Sequence, residues 1–219
     1  MLVAIAPGVL ARGPWDPEHV DVEWLSEPFE PEQQQLDAAD QALQALRDRG
    51  SPSHDGLAAR MVEFDQRDGR LELKLQPARW ALRLSQSDAS QSMAILCLVR
   101  DPEGRWLAGR RAEWLASWPG RWALGAGGSV ELDENPVHTL TRELEEEWSV
   151  KPQSLSIEAL VCLPTKVVML VGMARLAEGA TVVPDAEHDE FAWWPADVSQ
   201  WPSVADHPLR FMAAMLSPA

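Results

Sequence analysis

The sequence predicts an α/β fold preceded by a smaller α+β extension, with the extension over residues 1–88 and the main domain over 89–219. Three observations carry this. Apolar runs at Met93–Arg100, 157–163 and 167–176 have the length of strands and are too short for buried helices. A helix with clear start signals, Asn135 followed by Pro136, lies among them. Ahead of both stands an amphipathic helix followed by a hairpin, the pattern of a separate α+β unit. With 219 residues, 46% of them hydrophobic, the chain is long enough for one domain with a sizeable core and an extension.

In chain order, residues 1–30 are rich in Pro, Glu and Asp and read as irregular. Residues 31–49 predict an amphipathic helix, with Pro31 near its start, Leu36, Leu43 and Leu46 facing inward and Gly50 at its end. Residues 51–56 read as a loop. Strands follow at 57–64 and 70–76, joined at Asp68-Gly69, a strong hairpin turn. Leu71, Leu73 and Leu75 alternate with polar residues, as a half-buried strand requires, and Trp80, Leu82 and Leu84 extend the alternation. After a polar break at 85–92, Met93–Arg100 and residues 105–111 form a second hairpin across Asp101-Pro102-Glu103-Gly104. Strands at 157–163 and 167–176 come next, the second nearly all apolar and therefore central. Residues 191–194 are a short strand, Pro195 opens a short helix, and Pro208 starts a last helix that packs Leu209, Met212 and Met215 or Leu216.

The segment from Gly128 to Val150 is the most informative. Asn135 is a good N-cap and Pro136 suits the first helical position. At about 100° per residue, Val137, Leu140, Leu144 and Trp148 fall on one narrow stripe, the buried face. Glu143 and Glu147, four residues apart, stack on the adjoining face with Glu146 one step round. Three carboxylates this close repel one another, and a hard divalent cation such as Mg²⁺ or Mn²⁺ removes that repulsion. Taken alone, Glu145-Glu146-Glu147 reads as a solvated acidic face; the residues around it reverse that reading.

Those residues are Gly128, Glu134, Arg142-Glu143-Leu144, Glu146-Glu147 and Ser149-Val150. They resemble the Nudix box, G-x5-E-x7-R-E-U-x-E-E-x-G-U with U aliphatic, at every fixed position except the second glycine, which is Ser149 here. The resemblance implies a Nudix α/β/α sandwich with a mixed sheet and Mg²⁺- or Mn²⁺-dependent cleavage of a nucleoside diphosphate linked to some moiety X. It implies that Glu143, Glu146 and Glu147 hold the metal with the carbonyl of Gly127, and that Gly128, Glu134 and Arg142 are structural, the last two as a pair. In many Nudix enzymes a glutamate from a loop before a Trp-bearing strand completes the metal site or acts as base; Glu187 and Glu190, ahead of Trp193-Trp194, fit that placement. Glu146 and Glu187 are the candidates for the catalytic base. Arg110 and Arg111, with Arg105, are candidates for contacting substrate phosphate against a reading as plain surface charge. Ser149 sits where the helix ends in a left-handed turn that prefers Gly or Asn. Helix, Asp55-Gly56, Ala59-Arg60 and paired strands, in that order, resemble the N-terminal extension of the branch that cleaves UDP-glucose and UDP-galactose.

Composition excludes other classes. A net charge of −15 disfavours nucleic acid and anionic membranes as partners, while a small nucleotide substrate remains compatible because the site field is local. No apolar run approaches the roughly 20 residues of a membrane span. Residues 1–10 are apolar without a basic n-region, so no secretory signal is expected. Cys97 and Cys162 sit in strand-like apolar runs and read as buried reduced thiols; a cytoplasmic location follows. The five histidines show no zinc-ligand spacing. A homodimer is compatible with the sequence. The rival to an enzyme is a Nudix-fold sensor of nucleotide or sugar without turnover, and the complete carboxylate set favours the enzyme.

Overall fold

A computed structural model describes residues 5–51, 55–85 and 87–216. Along them run β1 (Gly8–Trp15), β2 (Val20–Trp24), α1 (Gln33–Asp48), β3 (Leu57–Arg67), β4 (Arg70–Arg79), β5 (Met93–Arg100), β6 (Trp106–Arg111), β7 (Trp122–Leu124), α2 (Pro136–Trp148), β8 (Ser154–Cys162), β9 (Val168–Arg175), β10 (His188–Trp194) and α3 (His207–Leu216). The larger sheet has the order β1-β8-β9-β5-β6-β10, with β7 also on β6. β5 and β9 are parallel and the other pairs antiparallel, so the sheet is mixed. β9, the most apolar run, lies between β8 and β5, where both faces are covered.

Alternation along the strands feeds two layers of core. Ile95, Cys97 and Val99 of β5 join Leu140, Leu144 and Trp148 of α2 in one cluster. Leu98 joins Val171, Met173, Trp106 and Trp194 with Leu209 and Ala213 of α3 in the other. Helices on both faces of a mixed sheet make an α/β/α sandwich. Among the described residues no helix is long and apolar enough to cross a membrane. Both cysteines are buried and free.

A smaller sheet, β2-β4-β3, carries the predicted hairpin at Asp68-Gly69, both residues at positive φ (50° and 74°). α1 packs Ala39 and Leu43 with Ala78, Ala81 and Leu82, and Leu46 is buried as well. It is capped by a reciprocal box between Glu32 and Gln35. Part of the predicted loop at 51–56 lies outside the described residues.

Three expectations change. Residues 1–30 are not irregular throughout: β1 pairs with β8 and β2 with β4. The pairing of β1 shifts register twice, so its side chains show no clean period of two, and its partner is remote in sequence. Trp80–Ser85 is a 3-10 helix rather than a continued strand. Asp55 draws the chain round at that point, accepting from Arg79 Nε (2.6 Å) and Ala81 N (3.3 Å). The short helix after Pro195 begins later, at Val198, where Asp197 caps it through Ser199 N.

The hairpin of β5 and β6 also opens in a way that matters for function. The strands meet at Arg100 and Trp106, closed by Asp101, whose carboxylate accepts from Arg105 N (2.8 Å) and Nε (2.6 Å). Residues 125–129 then run between them: Gly125 N donates to Leu107 O of β6 (3.0 Å), while Cys97 N and Ile95 N of β5 donate to Ala126 O (2.8 Å) and Gly128 O (2.9 Å). Gly125 has φ 59°, and a Cβ there would collide with the Cys97 carbonyl. On the other side, Ala59 N of β3 donates to Val130 O (2.9 Å), and Ala59 and Met61 share a core cluster with Val130 and Val137. The stretch before residue 89 thus packs directly on the loop that leads into α2.

Candidate active site

α2 presents its charges because its ends and its apolar stripe fix its orientation. Asn135 is extended and its side chain accepts from Val137 N (2.9 Å), with Pro136 in the first turn. Val137, Leu140, Leu144 and Trp148 are buried, as the stripe predicts, and Trp148 Nε1 donates to Gly125 O (3.0 Å). The helix ends at Ser149 in the left-handed conformation, φ 52° and ψ 34°, again as predicted.

Arg142 organises the near side of the cluster. Its guanidinium takes both oxygens of Glu134 (2.8 and 3.1 Å) and also donates to Glu143 and Glu146 (2.9 Å each). Burial opposes ionisation of Glu134, yet the bonds from Arg142 and from Glu131 N hold its carboxyl below the usual range. The Arg142–Glu134 pair pins the loop to the helix. Gly128 lies against Glu143: a Cβ at that position would run into the carboxylate, so only glycine lets the loop approach this closely.

Glu147 is buried deeper than a solvated acidic face allows, at 3% exposure. One oxygen accepts from Gly127 N (3.1 Å); the other is buried without a hydrogen-bond partner and stands 3.7 Å from His188 Nε2. Burial, reinforced by Glu143 and Glu187, raises its carboxyl well above the ordinary range. Burial also pushes Glu143 up to about 7, against the pull of Arg142. Glu146 is different, 57% exposed and held by Arg142.

Glu187 reaches the cluster because its loop is tied to the end of α2. Val183 N donates to Trp148 O and Asp185 N to Glu147 O (2.9 Å each), satisfying carbonyls that a helix C-terminus leaves open. Asp185 then accepts from Glu187 N (2.9 Å). Glu187 is raised by burial, with Arg111 opposing and Asp185 adding to the shift. Glu143, Glu147 and Glu187 line one cavity of about 500 Å³ with Gly127, Gly128 and Ser129, and Leu57, Ala58 and Trp80 line it too.

Of the three candidate phosphate ligands, Arg105 is held by Asp101 at the hairpin end, and the other two separate. Arg111 faces the cluster, its Nη2 3.5 Å from Glu187. Arg110 pairs with Glu190 at 3.5 Å on the other face, since neighbours along a strand point oppositely and Ala108 lies in the α3 cluster while Leu107 lies in the α2 cluster. Three residues absent from the sequence reading of the site are His188, Trp80 and Arg83. His188 is buried between Glu147 and Asp185 (3.3 Å from the latter) and packs on Trp148, ring centroids 4.4 Å apart; burial lowers its pKa.

The donors suit a hard cation. All are oxygens: the carboxylates of Glu143, Glu146 and Glu147, and the Gly127 carbonyl. Because the carbonyls of Ala126 and Gly128 are taken by β5, that of Gly127 between them is directed away from β5. The unpartnered Glu147 oxygen is one a cation would satisfy. Among the described residues, no three acidic, His or Cys side chains are drawn together into a ready coordination shell.

The model of the NUDIX domain matches residues 91–213. The fold is similar to a MutT protein from Methanosarcina mazei Go1, at 22% identity and TM-score 0.44 over 57% of this chain and 91% of that one. It is similar to a MutT Nudix hydrolase from Burkholderia pseudomallei, at 18% and 0.47 over 57% and 98%. The Nudix domain of Shewanella oneidensis NrtR, crystallised with ADP-ribose, matches at 21% and 0.42 over 57% and 86%. No curated protein matches the chain. Since the family model spans more than half of the 219 residues, this chain belongs to the Nudix hydrolase family.

Proposed function

We propose that this chain is a Mg²⁺- or Mn²⁺-dependent hydrolase that cleaves the phosphoanhydride bond of a nucleoside diphosphate linked to X, releasing a nucleoside monophosphate and X-phosphate, with X a sugar. The observation that carries this reading is the convergence of Glu143, Glu147 and Glu187 on one cavity beside Gly127 and Arg111. Glu143, Glu146 and Glu147 with the Gly127 carbonyl would hold the ion. When bound, it neutralises charge on phosphate oxygens and makes water more acidic.

The chain's own groups supply the rest. Arg111, 15% exposed, offers a charge-assisted donor to a phosphate oxygen at the cavity edge. Of the two candidate bases, Glu146 is engaged by Arg142 and open to solvent, whereas Glu187 lines the cavity with a proton affinity raised by burial. Glu187 therefore takes the proton of water as its oxygen attacks phosphorus and the bridging P–O bond breaks. X lies against Leu57, Ala58 and Trp80, and the resemblance of their segment to the UDP-sugar branch supports a nucleotide sugar.

The test is turnover on UDP-glucose, UDP-galactose, ADP-ribose and NADH with Mg²⁺ or Mn²⁺ and with excess EDTA, products identified. UMP and sugar 1-phosphate should form, and only with the divalent ion. Equal turnover in EDTA overturns the metal dependence, and preference for ADP-ribose or NADH overturns the assignment to the UDP-glucose and UDP-galactose branch.

A further inference from the structure

The 3-10 helix Trp80–Ser85 brings one cation to the active-site loop that the mechanism leaves unused. Arg83 Nη1 donates to Ser129 Oγ, next to Gly128, and its guanidinium lies 5.4 Å from the centre of the Trp80 ring. Trp80 Nε1 donates to the same Ser129 Oγ at 3.2 Å, and Trp80 and Ser129 both line the carboxylate cavity. Arg67, Arg70, Arg79, Arg105 and Arg142 each hold a carboxylate, in a chain with 34 acidic residues against 19 basic ones. Arg60, Arg100 and Arg210 donate to carbonyl oxygens rather than to carboxylates, but none of their acceptors lines the cavity. Among the described residues, the partners of Arg83 are a hydroxyl and an aromatic ring.

Arg83 also feels a charge of its own sign. Arg111, the residue that faces Glu187, acts on it as a like charge, and burial together with that repulsion lowers its pKa. A part-buried guanidinium whose partners include no carboxylate, seated on Ser129 at a cavity that Arg111 meets through Glu187, is costly unless an anion joins it. Phosphate suits the pair, since its oxygens accept several charge-assisted bonds at once.

We propose that Arg83 is a substrate-binding residue: with Arg111 it takes the two phosphates of a bound nucleoside diphosphate, so the residues before the Nudix domain complete the active site and select diphosphates over monophosphates. This rests on the hydrolase reading above, and its test uses binding so that the two can fail separately. The full chain, Arg83→Gln and Arg83→Lys are titrated calorimetrically with UDP, UMP, ADP and AMP. Arg83→Gln should weaken diphosphate binding by at least about tenfold, the worth of one hydrogen bond between charged groups, and monophosphate binding by less than about threefold. Arg83→Lys, which keeps the charge, should recover most of the loss.

Unchanged diphosphate affinity in Arg83→Gln overturns the proposal. So does a wild type that binds diphosphate no better than monophosphate. Equal weakening of monophosphate and diphosphate binding in Arg83→Gln makes Arg83 a brace for the loop, and also overturns it. Should Arg83→Gln fail to fold, Arg83→Met, which keeps the side-chain bulk, carries the same comparison. No turnover by a wild type that still prefers diphosphate would sink hydrolysis alone.

Discussion

Glu143→Gln removes one charge from the carboxylate cluster and preserves the shape of the side chain and its contact with Arg142. Burial lifts the Glu143 carboxyl from 4.5 to about 7, and the side chain is 13% exposed, so water screens it little. The folded chain therefore holds this proton more tightly than the unfolded one. Below pH 4.5 the group is protonated in both states, and glutamate and glutamine are nearly equivalent. As pH rises from 4.5 through about 7 the folded state must give up the proton, and that stability is lost. At about 1.4 kcal/mol per pH unit, the lift amounts to about 3 kcal/mol above neutrality. The assay is urea unfolding of both proteins in chelator. Glu143→Gln should be more stable than wild type by about 3 kcal/mol near pH ~8, and by less than about 1 kcal/mol near pH ~5. Mg²⁺ should raise the stability of wild type at the higher pH, since an ion that binds only the folded state favours it, and should raise that of the variant much less. A variant no more stable than wild type at the higher pH, or a difference equal at both, refutes the reasoning.

Ser149→Gly should raise stability by up to about 1 kcal/mol in thermal unfolding, because residue 149 has φ 52°, and should leave turnover unchanged; a large gain in turnover would show that the departure from the box had weakened catalysis. Glu147→Gln should remove most turnover with native circular dichroism and a thermal midpoint no lower than that of wild type, because it keeps the bond from Gly127 N and loses a buried ligand charge; an active Glu147→Gln chain would move the metal elsewhere.

The parts of the site legible in the sequence are those whose geometry is local. Asn135-Pro136, the four-residue spacing of Glu143 and Glu147 and the left-handed turn at Ser149 all lie within one helix, where spacing fixes direction. The pairing of Glu134 with Arg142 came from the family resemblance, and the structure has it. The two arginines of β6 were only half legible. Alternation says that Arg110 and Arg111 point to opposite faces, but the active face is set by α2 and β10, remote in sequence. Arg83 and Trp80 were illegible for a related reason: Trp80, Leu82 and Leu84 keep a strand's alternation, and the turn into a 3-10 helix depends on Asp55, a contact no period reveals. β1 was missed because its register shifts erase the period of two.

The box position filled by Ser149 shows how the site tolerates a departure from its pattern. At that turn the chain needs a left-handed residue so that the carbonyls of Glu147 and Trp148 are exposed to the following loop. Glycine adopts that conformation at least cost, and serine adopts it here. What the chemistry requires lies one step further on, in the bonds from Val183 N and Asp185 N to those carbonyls. They set the loop on the helix end, Asp185 turns the chain through Glu187 N, and Glu187 arrives beside Glu143 and Glu147. His188, buried on Trp148, anchors the same loop from the strand side. The carboxylates that line the cavity thus come from two elements held in register by the helix terminus, and the residue type at 149 enters through stability while the backbone turn enters through geometry.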